Sequence, residues 1–506
     1  MMKWVIRGLL AVGVIAVLGT VSSYLFVDRE LNRMYGAFVD VAEPELEAEA
    51  AETYALANVN VLAPEADRFI PGQSVIVEDG LIRTVGAGDV PEGIRAVDGQ
   101  GMYLVPGFTD SHVHLWESAN DLLLYVANGV TQVREMNGQP NNLAWKREIE
   151  EGRIGPEIFV VAPQFATFVG FEGVMVGWTQ RKTIVRNRKD VERAVAAFKA
   201  AGYDALKSSS FLSRENYDQL SEVAAEAGMP LVGHIPVATD LDAVWRGNAS
   251  EIAHIEELVK QLDKEFGGYG PDEAGAFLEF VRERSDDVAQ NLVREGIMVT
   301  STLDLVDSFH RQKSQLKEEL QAAELEYENP GIAEGTVIAS RGMGWLPEVN
   351  IYRWPEGMDE RRQARSLIYW KAYAEAQHIL LDAMLAHGVD ILAGTDANVP
   401  VMVPGFSLHD ELQAMNAAGM SSSEVLASAT VKPAAFMASN TGEISAGRKA
   451  HLVLLRDNPL EDISATREIE MVMLGTHVFD RADLDAMLQS VADANAASRK
   501  VALAGK

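Results

Sequence analysis

The chain contains no cysteine, which excludes disulfides, thiolate metal sites, a cysteine nucleophile and a lipid-modified N-terminal cysteine. Any metal ligand must be a histidine, an aspartate, a glutamate or a modified lysine. Basic residues are scarce beside acidic ones, 44 against 74, which leaves a formal net charge of −30 over 506 residues. That balance excludes a nucleic-acid backbone as partner, because binding phosphates relies on Lys and Arg to displace counterions. It describes instead a self-repelling acidic surface. Glycine-rich GxGxxG and phosphate-loop patterns are also missing, so nothing supports an open doubly wound nucleotide-binding sheet. With 47% apolar residues, the chain can bury one large domain and a smaller companion.

The N-terminus carries Lys3 and Arg7 ahead of a near-unbroken apolar run from Gly8 to Val27. At ~1.5 Å per residue, about 20 residues span the ~30 Å hydrocarbon core. The run reads either as a cleaved signal peptide or as a retained signal anchor. Small residues lie near Gly19 to Ser23, but Tyr24 to Val27 prolong the run beyond them and favour the anchor. Positive charge before the run, with Asp28 and Glu30 after it, places the bulk of the chain outside the cytoplasm. In a Gram-negative bacterium that is the periplasm; a cleaved segment would instead release the protein.

The expected organisation is a signal segment at 1–27 and an acidic linker at 28–52. A composite β-sandwich domain follows from 53–106 with 440–480, around a hydrolase barrel at 107–439, and a helical tail occupies 481–506. Val41 to Glu52 suits a solvated spacer or a short helix. Thr53 to Leu62, Gln73 to Glu78 and Leu81 to Gly86 are β-prone, with Asp79-Gly80 as a hairpin turn. His451 to Arg456 and Met471 to Val478 look alike, so both ends can build one small sandwich.

Between them, short apolar strands alternate with alanine-rich amphipathic helices, the pattern of a parallel sheet. The candidate strands are Tyr103–His112, Val130–Met136, Ile158–Ala162, Asp204–Ser208, Pro230–Ile235, Glu251–Ile255, Ile297–Thr302 and Asp390–Thr395. Helices are expected over Arg188–Ala201 and Arg214–Ala227. Eight such units fit an α/β fold with a closed (β/α)8 barrel, whose chemistry sits at the C-terminal strand ends.

The first strand runs Val105-Pro106-Gly107-Phe108-Thr109-Asp110-Ser111-His112-Val113-His114. Alternation sends His112 and His114 to one side, where both imidazoles can reach one cation. The same end of the other strands carries Lys207, His234, His254 and Asp396. Suitable side chains at one end of five strands point jointly to a metal site.

VPGFTDSHVH, DALKSSS, LVGHIP, IAHIEEL and LAGTDAN, in that order, resemble the metal-dependent amidohydrolase superfamily over roughly residues 53 to 480. The likeness is to its imidazolonepropionase-like branch, which includes metal-dependent Xaa-Pro dipeptidases and related carboxypeptidases. The resemblance implies that His112, His114 and Asp396 hold one metal and His234 and His254 another. A carboxylated Lys207 would bridge the two. A free ammonium offers only donors and cannot ligate, whereas its carbamate can; an unmodified Lys207 would leave a mononuclear site. Zinc is the first expectation for imidazole and carboxylate ligands, with manganese or cobalt as alternatives. The implied activity is hydrolysis of an amide or peptide-like C–N bond, in a dipeptide or an N-acyl amino acid, by metal-activated hydroxide. Asp396 would move the proton.

Lys207 is followed by three serines rather than by the glycine-rich turn of many dipeptidases. His451 stands where relatives have an acidic residue, and a structural role is expected for it. His310, His378, His387, His409 and His477 match no motif and are read as surface or packing residues. The segments 164–188 and 303–388 can wall the pocket, and Trp345, Arg353 and Trp354 are candidates to contact an apolar group and a carboxylate. The rival readings are a mononuclear cyclic-amide hydrolase resembling imidazolonepropionase and a catalytically silent scaffold. The partners implied are a small amide or peptide substrate and, through the N-terminal helix, a membrane. Homo-oligomerisation is compatible with the sequence, which does not specify it.

Overall fold

The computed structural model describes residues 2–48, 50–336 and 344–503. Strands from both ends of the chain build one mixed sheet. Its order is His477–Asp480, Ile469–Leu474, His451–Leu455, Tyr103–Pro106, Thr53–Leu62, Phe69–Glu78 and Leu81–Gly86, with Arg95–Asp98 also pairing on Thr53–Leu62. The seam between the two ends is antiparallel, with Leu452 opposite Pro106 and Leu454 opposite Leu104. Alternating residues on these strands, among them Tyr54, Leu56, Val75, Val77, Leu452 and Leu454, bury together in one cluster. Asp79 and Gly80 both have positive φ, 52° and 73°, as a tight two-residue hairpin turn requires.

The second system is parallel. Its strands are Phe108–Val113, Val130–Glu135, Glu157–Val160, Leu206–Ser208, Leu231–Gly233, Glu251–Ile252, Met298–Thr300 and Ile391–Leu392. Ladders join the first three, the fourth to the fifth, and the last three. The bridges Val161–Ala205, Leu231–Ala249 and Val113–Ala397 link these groups into a closed ring. Each expected parallel strand lies in the ring, with one correction. Tyr103–His112 is two strands, Tyr103–Pro106 in the mixed sheet and Phe108–Val113 in the ring. They part at Gly107, where a Cβ would lie 2.1 Å from Thr131 Oγ1.

Helices follow most ring strands. Arg188–Ala201 starts at Asn187, whose side chain accepts from the Asp190 N–H, and stops at Gly202 with φ 90°. Arg214–Ala227 is bounded in the same way by Ser213 and Gly228. Their apolar faces pack into the large cluster around the ring, where each fully buried Leu or Val contributes about 1.5–3 kcal/mol. The expected wall 303–388 contains the helices Leu303–Ala322, Pro330–Glu334 and Glu360–His387, while its residues 337–343 lie outside the described residues.

At the N-terminus the structure moves one expected boundary. One helix, Met2–Met34, runs through the boundary expected at residue 27. Among the described residues no helix is long and apolar enough to cross a membrane. Asp28, Arg29, Glu30 and Arg33 crowd its last turns, where a hydrocarbon core would be costly. Those turns belong to the folded body instead, with Leu31, Met34 and Tyr35 buried beside Trp116, Ile332 and Trp345. Over residues 41–48 the stretch expected as a spacer or short helix is not helical. It is held along the domain, its Ala42 N–H donating to Asn120 Oδ1 at 3.0 Å and its Glu47 N–H to Asp483 Oδ1 at 2.7 Å.

Candidate metal centre

The ends of five ring strands bring the expected residues together. His112 and Lys207 lie within the first and fourth strands, and His114, His234, His254 and Asp396 lie just past the first, fifth, sixth and eighth. His114 Nε2 and His112 Nε2 approach the same atom, Asp396 Oδ1, at 3.0 and 3.3 Å. One ligand atom from each of these three residues falls within 4.8 Å of the others. Lys207, wholly buried, puts its Nζ 3.2 Å from His112 Nε2. Ring centroids of His112 and His254 are 4.5 Å apart and those of His254 and His234 5.2 Å. The imidazoles thus form a row over the mouth of the ring.

Three of the four imidazoles meet an acceptor through Nδ1, and the His114 Nδ1 has no hydrogen-bond partner. His112 Nδ1 lies 3.2 Å from the Ala253 carbonyl, His254 Nδ1 3.0 Å from Thr302 Oγ1, and His234 Nδ1 2.9 Å from Glu257 Oε1. His114 Nδ1 faces Glu135 Oε1 at 3.8 Å, and that carboxylate is fixed by the N–H groups of Leu115 and Asn137. Such acceptors select the tautomer that leaves Nε2 free to ligate. Asp110 ties the first and eighth strand ends together, accepting from the N–H of His112 at 3.2 Å, the N–H of Thr395 at 3.1 Å and its hydroxyl at 2.6 Å.

Burial, with the Lys207 charge beside it, presses the His112 pKa well below its ordinary value. Burial takes His254 down to about 3 and also lowers His234, against the pull of Glu257. These imidazoles are neutral near pH 7, the state that ligates a metal. Burial lowers His114 as well, but Asp396 and Glu135 outweigh it and its pKa rises. Burial would raise Asp396, yet His112 and His114 hold it well below the usual carboxylate range. Burial brings Lys207 down to about 8, with Asp396 opposing. Asp396 Oδ1 is nevertheless buried without a hydrogen-bond partner. An anionic oxygen with no hydrogen-bond partner, facing the Nε2 atoms of two imidazoles, is what a divalent cation would satisfy.

His114 also stacks on Trp116, with centroids 5.6 Å apart and planes at 12°. Trp116 in turn meets Tyr35, from the end of the N-terminal helix, edge-on at 5.6 Å. Left-handed backbone recurs around the centre, at Trp116 (φ 43°), Thr302 (φ 51°), Asp396 (φ 58°) and Asn398 (φ 75°), where strain aims side chains.

Sequence reasoning missed Glu135, Glu257, Thr302, Asp110 and Trp116. Asp110 and Glu257 stand inside the quoted motifs, but an acid beside a histidine does not announce which nitrogen it faces. Among the wall candidates, Trp345 is wholly buried, with Nε1 donating to the Asn398 carbonyl at 3.3 Å, and serves packing. Arg353 is exposed and donates to the Pro347 carbonyl. Trp354 instead faces Lys313, whose Nζ lies 5.6 Å from its ring and 5.2 Å from that of Trp370. His409 is a buried packing residue between Thr466 and the Asn128 carbonyl, while His378 and His387 pair with Asp307 and Asp286.

A ring of parallel strands whose ends converge histidines and an aspartate defines a metal-dependent hydrolase class. Residues 103–479 match the amidohydrolase family, and the chain belongs to that family. A solved bottromycin amidohydrolase superposes with a TM-score of 0.67 at 23% identity, covering 88% of this chain and 91% of that one. A Xaa-Pro dipeptidase with methionine bound in its active site superposes with a TM-score of 0.59 at 16% identity, covering 85% and 100%. At such identities these likenesses concern the fold. An adenine deaminase of Deinococcus deserti is 33% identical over 130 residues, spanning 23% of this chain and 23% of that protein.

Proposed function

We infer that the ring is a (β/α)8 hydrolase barrel and that the protein hydrolyses an amide or peptide-like C–N bond in a dipeptide or an N-acyl amino acid. The observation that carries this is the convergence of His112 and His114 on the orphaned Asp396 Oδ1, with Lys207, His254 and His234 continuing the row. His112, His114 and Asp396 would hold one divalent cation, zinc by donor type, and His234 and His254 a second. When bound, such cations supply an acidified water as nucleophile and polarise the scissile carbonyl. Lys207 in its neutral form can add carbon dioxide, forming an N–C bond and releasing a proton, and the resulting carbamate would offer two anionic oxygens as ligands.

Asp396, ionised and within reach of both imidazoles, takes the proton of the attacking water and delivers it to the departing nitrogen. The acceptors Glu257, Thr302 and the Ala253 carbonyl hold the planes of His234, His254 and His112 while this happens. The dipeptidase-like fold neighbour supports the choice of substrate class by analogy. We also place the catalytic domain outside the cytoplasm, on the basic-then-apolar N-terminal pattern.

The test is elemental analysis of the full chain prepared with bicarbonate, alongside a panel of dipeptides and N-acyl amino acids. About two divalent ions per chain and release of a free amine from panel members is the expected result. A chain that takes up no metal after add-back, or a metal-loaded chain inert towards the whole panel, overturns the reading.

A further inference from the structure

Half of the large hydrophobic side chains exposed among the described residues gather in one region. Val14, Val17, Leu18, Val21, Tyr24, Leu25 and Phe26 protrude from the N-terminal helix, and Val169, Phe171 and Val174 from the excursion after the third ring strand. Phe171 is 77% exposed and Val174 62%. On the helix Gly170–Thr179, Phe171, Val174 and Trp178 fall at i, i+3 and i+7 and share a face. On the helix Met2–Met34, Val14, Val17, Val21 and Tyr24 follow the same rule. The two faces meet where Tyr24 stacks on Trp178, centroids 4.9 Å apart. That junction is locked by Trp178 Nε1 donating to Asp28 Oδ1 and by Arg181 Nη2 donating to Asn32 Oδ1, each at 2.9 Å. A contiguous apolar surface of this kind marks an interaction site.

Charge identifies the partner. Between Glu172 and Asp190 the sequence has no acidic residue but contains Arg181, Lys182, Arg186, Arg188 and Lys189, in a chain whose net charge is −30. Arg181 pairs with Glu117, and Arg188 with Glu192, Glu222 and Glu226. Arg186 and Lys189 stay exposed, and Lys182 lies 5.0 Å from the ring of Phe211, itself an exposed aromatic. Glu172 is one helical step, about 100°, from Phe171 and so off the apolar face. Aromatic and aliphatic side chains rimmed by cations are the composition of a surface that lies in a lipid headgroup layer.

We propose that the helix Gly170–Thr179, with the N-terminal helix joined to it at Tyr24–Trp178, docks the folded domain on an anionic lipid bilayer. The contact is interfacial: Phe171 and Val174 enter the acyl boundary, and Arg186 and Lys189 meet the headgroups. Loops after ring strands lie on the catalytic side, so the bilayer lies beside the mouth of the centre. This assignment does not depend on what the centre hydrolyses.

The absence of native cysteine makes the test direct. The full chain carrying Phe171→Cys, labelled with an environment-sensitive fluorophore, is mixed with phosphatidylcholine vesicles with or without phosphatidylglycerol. Gln489→Cys on the exposed side of the C-terminal helix is the control. The expected result is a blue shift and quenching by brominated lipid at position 171, strongest with phosphatidylglycerol, and neither at 489. Phe171→Glu with Val174→Glu should lower the vesicle-bound fraction by about tenfold or more, and Arg186→Glu with Lys189→Glu should remove the preference for anionic lipid. A label at Val21→Cys that enters lipid while one at 171 stays in water overturns the proposal, leaving the N-terminal helix as the sole contact. A concentration-dependent shift at 171 without vesicles overturns it in favour of a second copy.

Discussion

Glu257→Gln isolates the support of the proposed second cation position. Glu257 Oε1 accepts from His234 Nδ1 and from Lys260 Nζ, both at 2.9 Å, and Oε2 accepts from the Ile235 N–H at 3.0 Å. Every neighbour is a donor. A carboxylate can accept on both sides, whereas an amide brings one acceptor and one donor. Whichever way the introduced amide turns, an N–H faces an N–H in a site that is wholly buried. An unsatisfied buried donor costs about 1–3 kcal/mol. Loss of an acceptor behind a ligating histidine weakens metal binding about 10–100-fold, roughly 1.4–2.8 kcal/mol. Titrating the metal-free full chain with zinc against a fluorescent chelator should show one of two affinities weakened by this factor, with the site of His112, His114 and Asp396 retained. Urea unfolding of the metal-free variant separates the folding cost from the binding cost. Two affinities both within about twofold of the parent, with an unchanged urea midpoint, would refute the role given to Glu257.

Asp396→Asn should lower turnover by at least about 100-fold while circular dichroism stays native; near-normal kcat removes Asp396 from the proton path. Lys207→Ala should lower metal content, with partial recovery of activity on adding short-chain carboxylates, measured by elemental analysis and rate together. In the metal-free protein, Lys207 titrates near pH 8 against an ordinary 10.5, so between these values the unfolded chain holds the extra proton. Stability should therefore rise from about pH 8 towards 10.5, and Lys207→Met should flatten that limb in urea titrations. Trp345→Ala, which empties a wholly buried site, should cost about 3–5 kcal/mol in chemical denaturation, and a loss near zero would return Trp345 to the pocket wall.

The ring strands are legible because strands buried on both faces read as short apolar runs between turn residues. Asn187 with Gly202, and Ser213 with Gly228, mark their helices because caps are local chemistry. The row of candidate ligands is legible because HxH alternation and strand-end position are properties of the chain itself. What stays hidden is tertiary. Nothing near Gly107 says that Thr131 will fill the space of its Cβ, so two strands read as one. Glu257 looks like any acid in the first turn of a helix until His234 is placed beside it. Trp345, in an irregular stretch, has no periodicity to reveal its burial. The end of the N-terminal helix reads as part of a linker because its charges outweigh Leu31 and Met34 in any local count.

The contact of Tyr35 with Trp116, and of Trp116 with His114, makes the end of the N-terminal helix and the candidate metal centre mechanically one piece. A peptidase cutting within residues 19–27 would leave this brace in place, whereas trimming past Tyr35 would remove the support behind the candidate ligand His114. Shortened variants for biochemistry should therefore start upstream of Leu31. A shortened variant that folds yet binds metal loosely would report a missing buttress, not a missing ligand.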